Sequence, residues 1–203
     1  MWNEPSAGVA VAALDPDRGS RQPAPAVVAS VEPGSIGEEL GFEPGDQLLS
    51  INGVRPRDLI DYRYLIVEEE LHLEIRDAAG VLHQVDLEKD EDDGLGLAFT
   101  EALFDGLRQC SNACAFCFID QQPPGHRSSL YLKDDDYRLS FLYGSYLTLT
   151  NLSDSDWQRI EQQRLSPLFV SVHATDPDLR SSLLQNPRAG QLLQQLAWFA
   201  ERD

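Results

Sequence analysis

"VVASVEPGSIGEELGFEPGDQLLSING", residues 27–53, carries its own punctuation. The apolar run from Ala26 reads as a strand. Ser35 to Leu40 gives a short helix stopped by Gly41, Pro44-Gly45 turns the chain into a second strand, and Asn52-Gly53 closes that strand with a tight turn. A second helix is expected near 58–67. Beyond it, "LHLEIRD" (71–77) alternates, with Leu71, Leu73 and Ile75 on one face and His72, Glu74 and Arg76 on the other. Ala79-Gly80 then turns into "VLHQVDLE" (81–88), so the last two strands form a hairpin.

This order, with Gly41, Gly45-Asp46 and Asn52-Gly53 at the turns, resembles a bacterial PDZ domain over roughly residues 26–99. The resemblance implies a groove between a strand and a helix that adds a peptide strand and captures the C-terminal carboxylate of a peptide or protein. "GLGLAF" (94–99) looks like the carboxylate loop, yet it follows the last strand, so a rearranged strand order would be required. A module that only packs against its neighbour remains the other reading.

Outside this module the composition changes. Residues 1–25 mix Pro, Gly, Ser and Asp without a sustained period and read as a flexible N-terminal arm. The arm lacks the basic start and apolar stretch of a secretory signal, and no apolar run approaches the roughly 20 residues that span a bilayer. A cytoplasmic protein with no membrane partner is expected. Across the 203 residues, 34 acidic against 16 basic side chains give a net charge of -18, which argues against nucleic acid as a partner. After the acidic "DEDDG" (90–94) the cysteines appear, and the domain boundary is expected near residue 98.

All three cysteines lie in "RQCSNACAFCFID" (108–120): Cys110, Cys114 and Cys117. A disulfide leaves one thiol over and suits neither the spacing nor a reducing compartment. A structural zinc needs four protein ligands and would have to recruit a fourth, with His126 the nearest candidate. Three inert thiols within eight positions are a poor way to fill a core. An iron-sulfur cluster fits better, because three thiolates serve three irons of a 4Fe-4S cube and leave the fourth open for chemistry.

The spacing C-x3-C-x2-C, with Phe116 before the third cysteine, resembles the radical S-adenosylmethionine superfamily. The resemblance implies a 4Fe-4S cluster on Cys110, Cys114 and Cys117 and S-adenosylmethionine chelated at the open iron, with its adenine against Phe116. It also implies reductive cleavage to a 5'-deoxyadenosyl radical and a reductant such as ferredoxin or flavodoxin. The superfamily's Gly-Gly-Glu-like turn, which contacts the amino group of S-adenosylmethionine, corresponds to Gly144-Ser145-Tyr146, where only the first glycine is kept. "VSVHAT" (170–175) resembles a stretch of the radical enzymes that methylate RNA adenines. It alternates, placing Ser171 and His173 on one strand face where they could reach cofactor or substrate, unless His173 is a satisfied core histidine.

The following chain suits such a core. "SYLTLTNL" (145–152) and "LFVSVHAT" (168–175) read as strands around a helix opened by Ser153-x-x-Asp156, which makes a βαβ unit and a parallel pair. Thr175 is expected to cap the next helix, with Pro177 in its first turn. The run "PPGHRSSLYLKDDDYRLSFLYG" (123–144), after a PDZ-like module, closely resembles a bacterial family well represented in cyanobacteria. That family joins a PDZ module, a radical-SAM core and a C-terminal domain of unknown function. Arg127, Lys133, Asp136 and Arg138 could bind substrate, order the cysteine loop or form surface salt bridges.

The expected fold is an α+β PDZ-like domain over 26–98 followed by an α/β partial (βα) barrel of radical-SAM type over 99–203. Only two or three βα units are legible and the chain ends inside a helix, so a truncated, catalytically incomplete barrel is expected. The rival function is a PDZ-type peptide-binding or scaffold protein with a metal-stabilised cysteine loop. The substrate is not legible.

Overall fold

In the computed structural model, which describes residues 24–202, the first strand, β1 (Ala26–Val31), begins just after the expected arm. All but the last two residues of that arm lie outside the described residues. The chain continues through α1 (Ile36–Glu39), β2 (Gln47–Ile51), α2 (Leu59–Leu65), β3 (Glu70–Arg76), β4 (Leu82–Glu88) and β5 (Leu97–Phe99). These strands form one five-stranded sheet in the order β4-β3-β2-β1-β5, every pairing antiparallel.

Local chemistry explains the element ends. The Ser35 side chain accepts from Glu38 N–H to start α1, and Gly41 leaves it at φ +79°. The buried Asp58 carboxylate accepts from Ile60 and Asp61 N–H to start α2. In β3 the alternation holds: Leu71, Leu73 and Ile75 join Val28, Leu48, Ile51, Tyr62 and Phe99 in one apolar core. Asn52 (φ 49°) and Gly53 (φ 75°) form the left-handed turn after β2.

The rearranged strand order is present. β5 follows the hairpin in sequence but pairs with β1, with Val28 opposite Phe99 and Val31 opposite Leu97. The loop before it is tied to α1, Glu32 N–H donating to Gly96 O and Gly37 N–H to Leu95 O, both at 2.8 Å. That approach demands glycine twice. A Cβ on Gly37 would lie 2.5 Å from Leu95 O, and one on Gly96, at φ +69°, would lie 2.3 Å from the Ser35 Cβ. Gly96→Ala is therefore expected to cost about 2–4 kcal/mol in urea unfolding, from left-handed strain plus overpacking.

The compact units divide between Gly106 and Leu107, beyond the boundary expected near 98, because β5 and the residues after it bond back to the first sheet and to α2. The second unit contains α3 (Tyr137–Tyr143), β6 (Tyr146–Leu147), α4 (Asp154–Gln162), β7 (Phe169–Val170), α5 (Pro177–Leu184) and α6 (Leu192–Ala200). Short 3-10 turns occupy Ser128–Tyr131 and Pro187–Gln191. β6 and β7 are parallel, Tyr146 opposite Phe169, with α4 as the crossover. Ser153 and Asp156 form the expected capping box. The cap of α5 is Asp176 rather than Thr175: its carboxylate accepts from Leu179 N–H at 2.8 Å, and Pro177 fills the first helical position.

Both strands are far shorter than their apolar runs. After Leu147 the backbone of Thr148 is taken by side chains, its N–H by Asp135 Oδ1 (2.6 Å) and its carbonyl by Arg180 (2.9 Å). The carbonyls of Ser171 and Val172 likewise go to Arg180. Ladder partners are thus replaced, and the chain turns away.

Asp136 and Arg138, read from sequence as candidates for binding substrate, ordering the cysteine loop or forming a surface salt bridge, form a buried fork. Nε and Nη2 of Arg138 meet the two carboxylate oxygens at 2.9 and 2.7 Å, with side chains 1% and 0% exposed. Asp136 also caps α3 and accepts from Arg108 N–H. Asp136→Ala should destabilise this unit by about 3–5 kcal/mol, since it removes one partner of a buried pair. Urea unfolding followed by the fluorescence of Trp157 and Trp198 tests this. Among the described residues no helix is long and apolar enough to cross a membrane.

Candidate functional site

The cysteine run forms no regular element; it is a loop fixed by backbone bonds to its surroundings. Arg108 N–H donates to Asp136, Cys110 N–H to Lys133 O (2.7 Å) and Ala113 N–H to Leu184 O at the end of α5 (3.0 Å). Cys117 N–H closes a turn on Cys114 O (3.1 Å). All three thiols are free and partly buried. Burial pushes the Cys110 and Cys114 thiols up, and neighbouring negative charge adds to it, from Asp135 and Cys114 on Cys110 and from Cys117 on Cys114. Lys133 projects the opposite charge, paired to Asp120 at 2.5 Å and held up in pKa first by that bond and then by the charges of Asp120, Cys117 and Cys110.

Phe116, 45% exposed, faces the imidazole of His173 with ring centroids 5.5 Å apart. His173 does not alternate with Ser171 on a strand face, because β7 ends at Val170. It sits at φ +60° in a three-residue turn closed by Ala174 N–H to Val172 O at 2.7 Å, a strained geometry that aims its ring at the cysteine loop. Burial and then the Arg180 charge hold its pKa below the ordinary imidazole range, so it is neutral at neutral pH. A proton-NMR titration of His173 should show that depression; an ordinary or raised midpoint would contradict this placement.

Arg180 fixes the turn from below. It is 1% exposed, and its guanidinium donates to the carbonyls of Thr148, Ser171, Val172 and Ala189. Sequence reading passed over it, although a cation four residues before the buried Leu184 on an amphipathic helix is a visible oddity. Asn112, Thr148 and Asp135 were missed too. Asn112 donates to both Cys110 Sγ and Thr148 Oγ1, and Thr148 Oγ1 donates to Asp135 at 2.6 Å.

Gly144, Ser145 and Tyr146 lie at the amino end of β6. Gly144 is the left-handed cap of α3, Ser145 N–H bonds to Leu139 O, and the Tyr146 ring packs edge-on to Phe169. Among the described residues no hydrogen bond or ring contact joins these three to the cysteine loop. His126 donates its backbone N–H to the Tyr131 hydroxyl, and among the described residues no three His, Cys, Asp or Glu side chains converge on one ion position. A cluster makes a different demand, one thiolate per iron at separate corners, and three partly buried thiols on one anchored loop fit that donor set.

No curated protein matches the chain. A solved structure, the PDZ domain of an SdrC-like protein from Listeria innocua, aligns at 11% identity over 39% of this chain and 98% of that chain, with a TM-score of 0.33. A PDZ domain family model matches residues 27–77, in agreement with the strands and helices of the first unit. The family model described as a Radical SAM-like domain matches residues 89–203, which include the cysteine loop, the parallel strands and Arg180. That match spans more than half of the chain, and the protein belongs to the Radical SAM-like domain family.

Proposed function

We propose that the second unit is the cofactor-binding part of a radical S-adenosylmethionine enzyme, with Cys110, Cys114 and Cys117 each ligating one iron of a 4Fe-4S cluster and β6-α4-β7 opening a partial (βα) barrel. The observation that carries this reading is the anchored loop of three free thiols beside the carboxyl ends of two parallel strands, where α/β sheets bind their ligands. When bound, the reduced cluster supplies one electron to the sulfonium of S-adenosylmethionine, yielding methionine and a 5'-deoxyadenosyl radical.

The chain's own residues bind and orient. The exposed ring of Phe116 offers a flat apolar surface for adenine, backed by the neutral imidazole of His173. Ser171 leads into the turn centred on His173, and Arg180 holds the carbonyls of Ser171 and Val172, so the mouth of the site is rigid where the cofactor would sit. Gly144, Ser145 and Tyr146 stay with the cap of α3, and this reading assigns them no cofactor contact. Free thiols suit a reducing cytoplasm, where ferredoxin or flavodoxin would serve as the electron donor.

Anaerobic reconstitution with iron and sulfide tests the proposal. About four irons and four sulfides per chain, followed by 5'-deoxyadenosine release under strong reductant, would support it. A colourless protein holding a single zinc would overturn it in favour of a scaffold with a metal-stabilised loop.

For the first unit we propose capture of a peptide C-terminus between β5 and α2. β5 lies at the sheet edge, and the Gly94-Leu95-Gly96 loop before it is fixed by α1. Titrating the intact chain with a peptide library bearing free or amidated C-termini should show binding only to the free acids. Equal binding to both forms, or none, would leave the unit as a packing module.

A further inference from the structure

The side chain of Asn112 has all four of its hydrogen-bonding positions engaged although it lies 6% exposed. Nδ2 donates to Cys110 Sγ at 3.2 Å and to Thr148 Oγ1 at 3.0 Å; Oδ1 accepts from Thr150 Oγ1 at 3.1 Å and from Asn186 Nδ2 at 2.7 Å. The amide cannot be turned over. Asn186 accepts Arg188 N–H on its own Oδ1 at 3.0 Å, so its NH2 group must face Asn112. That in turn requires Asn112 to present oxygen to Asn186 and nitrogen to the sulfur. A backbone N–H on the turn after α5 thus dictates, through two amides, which atom meets Cys110.

We propose that Asn112 is a positioning residue that holds an N–H donor on the Cys110 sulfur, locked in that orientation by Asn186, and thereby raises the reduction potential of the cluster this sulfur ligates. This rests on the cluster reading above. Thiolate sulfur gains negative charge when a cluster is reduced, and a fixed donor stabilises that extra charge. An amide that only filled space would need neither the sulfur contact nor the lock.

The test is a potentiometric titration of the reconstituted chain followed by electron paramagnetic resonance. Asn112→Leu keeps the shape and neutral charge but removes the donor, and its midpoint should be more negative than that of the wild type at equal iron content. Asn186→Ala removes the lock, together with the acceptor of Arg188 N–H, but leaves the Asn112 amide in place, and should shift the midpoint in the same direction by less. It also decides the matter if Asn112→Leu does not retain iron. Unchanged midpoints in iron-loaded variants overturn the role of Asn112 and leave the cluster reading standing. A wild-type chain that assembles no cluster overturns both.

Discussion

Alanine at any one of Cys110, Cys114 or Cys117 is expected to abolish the proposed cluster assembly on reconstitution and, with it, the proposed S-adenosylmethionine cleavage, while urea unfolding of the unloaded chain should move by no more than about 1 kcal/mol. The asymmetry follows from where the sulfurs sit. All three are only partly buried and free of disulfides, so removing one leaves little cavity, and at Cys110 it leaves the backbone and side-chain N–H donors of Asn112 without the sulfur. In a cluster each thiolate is the sole protein ligand of its iron, so no neighbour can substitute. The effect on iron content and turnover should exceed the about 10–100-fold that loss of an outer-shell partner costs. Iron and sulfide assays beside urea curves provide the check. A variant that keeps full iron would show that its cysteine is not a ligand, and a variant that unfolds would show a structural thiol.

The first unit was legible because its turns are spelled by residues whose local backbone preferences match the turns they make. Gly41 and Asn52-Gly53 adopt left-handed backbone where they were expected to, and the alternation of Leu71, Leu73 and Ile75 carries straight into the core. The placement of β5 next to β1 was legible only as a puzzle, since strand order is decided by long-range pairing that no local pattern encodes. In the second unit local pattern overstated the strands. "SYLTLTNL" and "LFVSVHAT" have strand composition, but Asp135 and Arg180 claim the backbone groups that a longer ladder would use. The same two side chains explain why the site was only half visible. The cysteines announce themselves by spacing, whereas Arg180 and Asn112 act through burial, and burial of a polar residue is a tertiary fact. Ser171 and His173 were singled out for the wrong geometric reason: what brings His173 to Phe116 is a strained turn, not strand alternation.

Arg180→Met should be as damaging to the second unit as the loss of Asp136, costing about 3–5 kcal/mol by urea unfolding. The guanidinium is buried, and among the described residues it has no carboxylate in ion-pair contact; its donors end on four carbonyls instead. Methionine keeps the aliphatic length and relieves the cost of burying a charge, which offsets part of the loss. It also strands carbonyls from the ends of β6 and β7 and from the Pro187–Gln191 turn, each unsatisfied group costing about 1–3 kcal/mol. The net sign is set by number: four acceptors lose their donor for one cation removed. Arg180→Lys retains the charge but offers a compact ammonium in place of the planar fork, so it should recover less than half of the stability. A second readout separates glue from site. Without the cation, the imidazole of His173 loses one of the two influences that depress its pKa, so its NMR midpoint should rise in the methionine variant and stay low in the lysine variant. If both variants fold with wild-type stability, the carbonyl clamp is not what shapes the turn. If stability falls but the His173 midpoint is unmoved, Arg180 supports the fold without setting the electrostatics of the site.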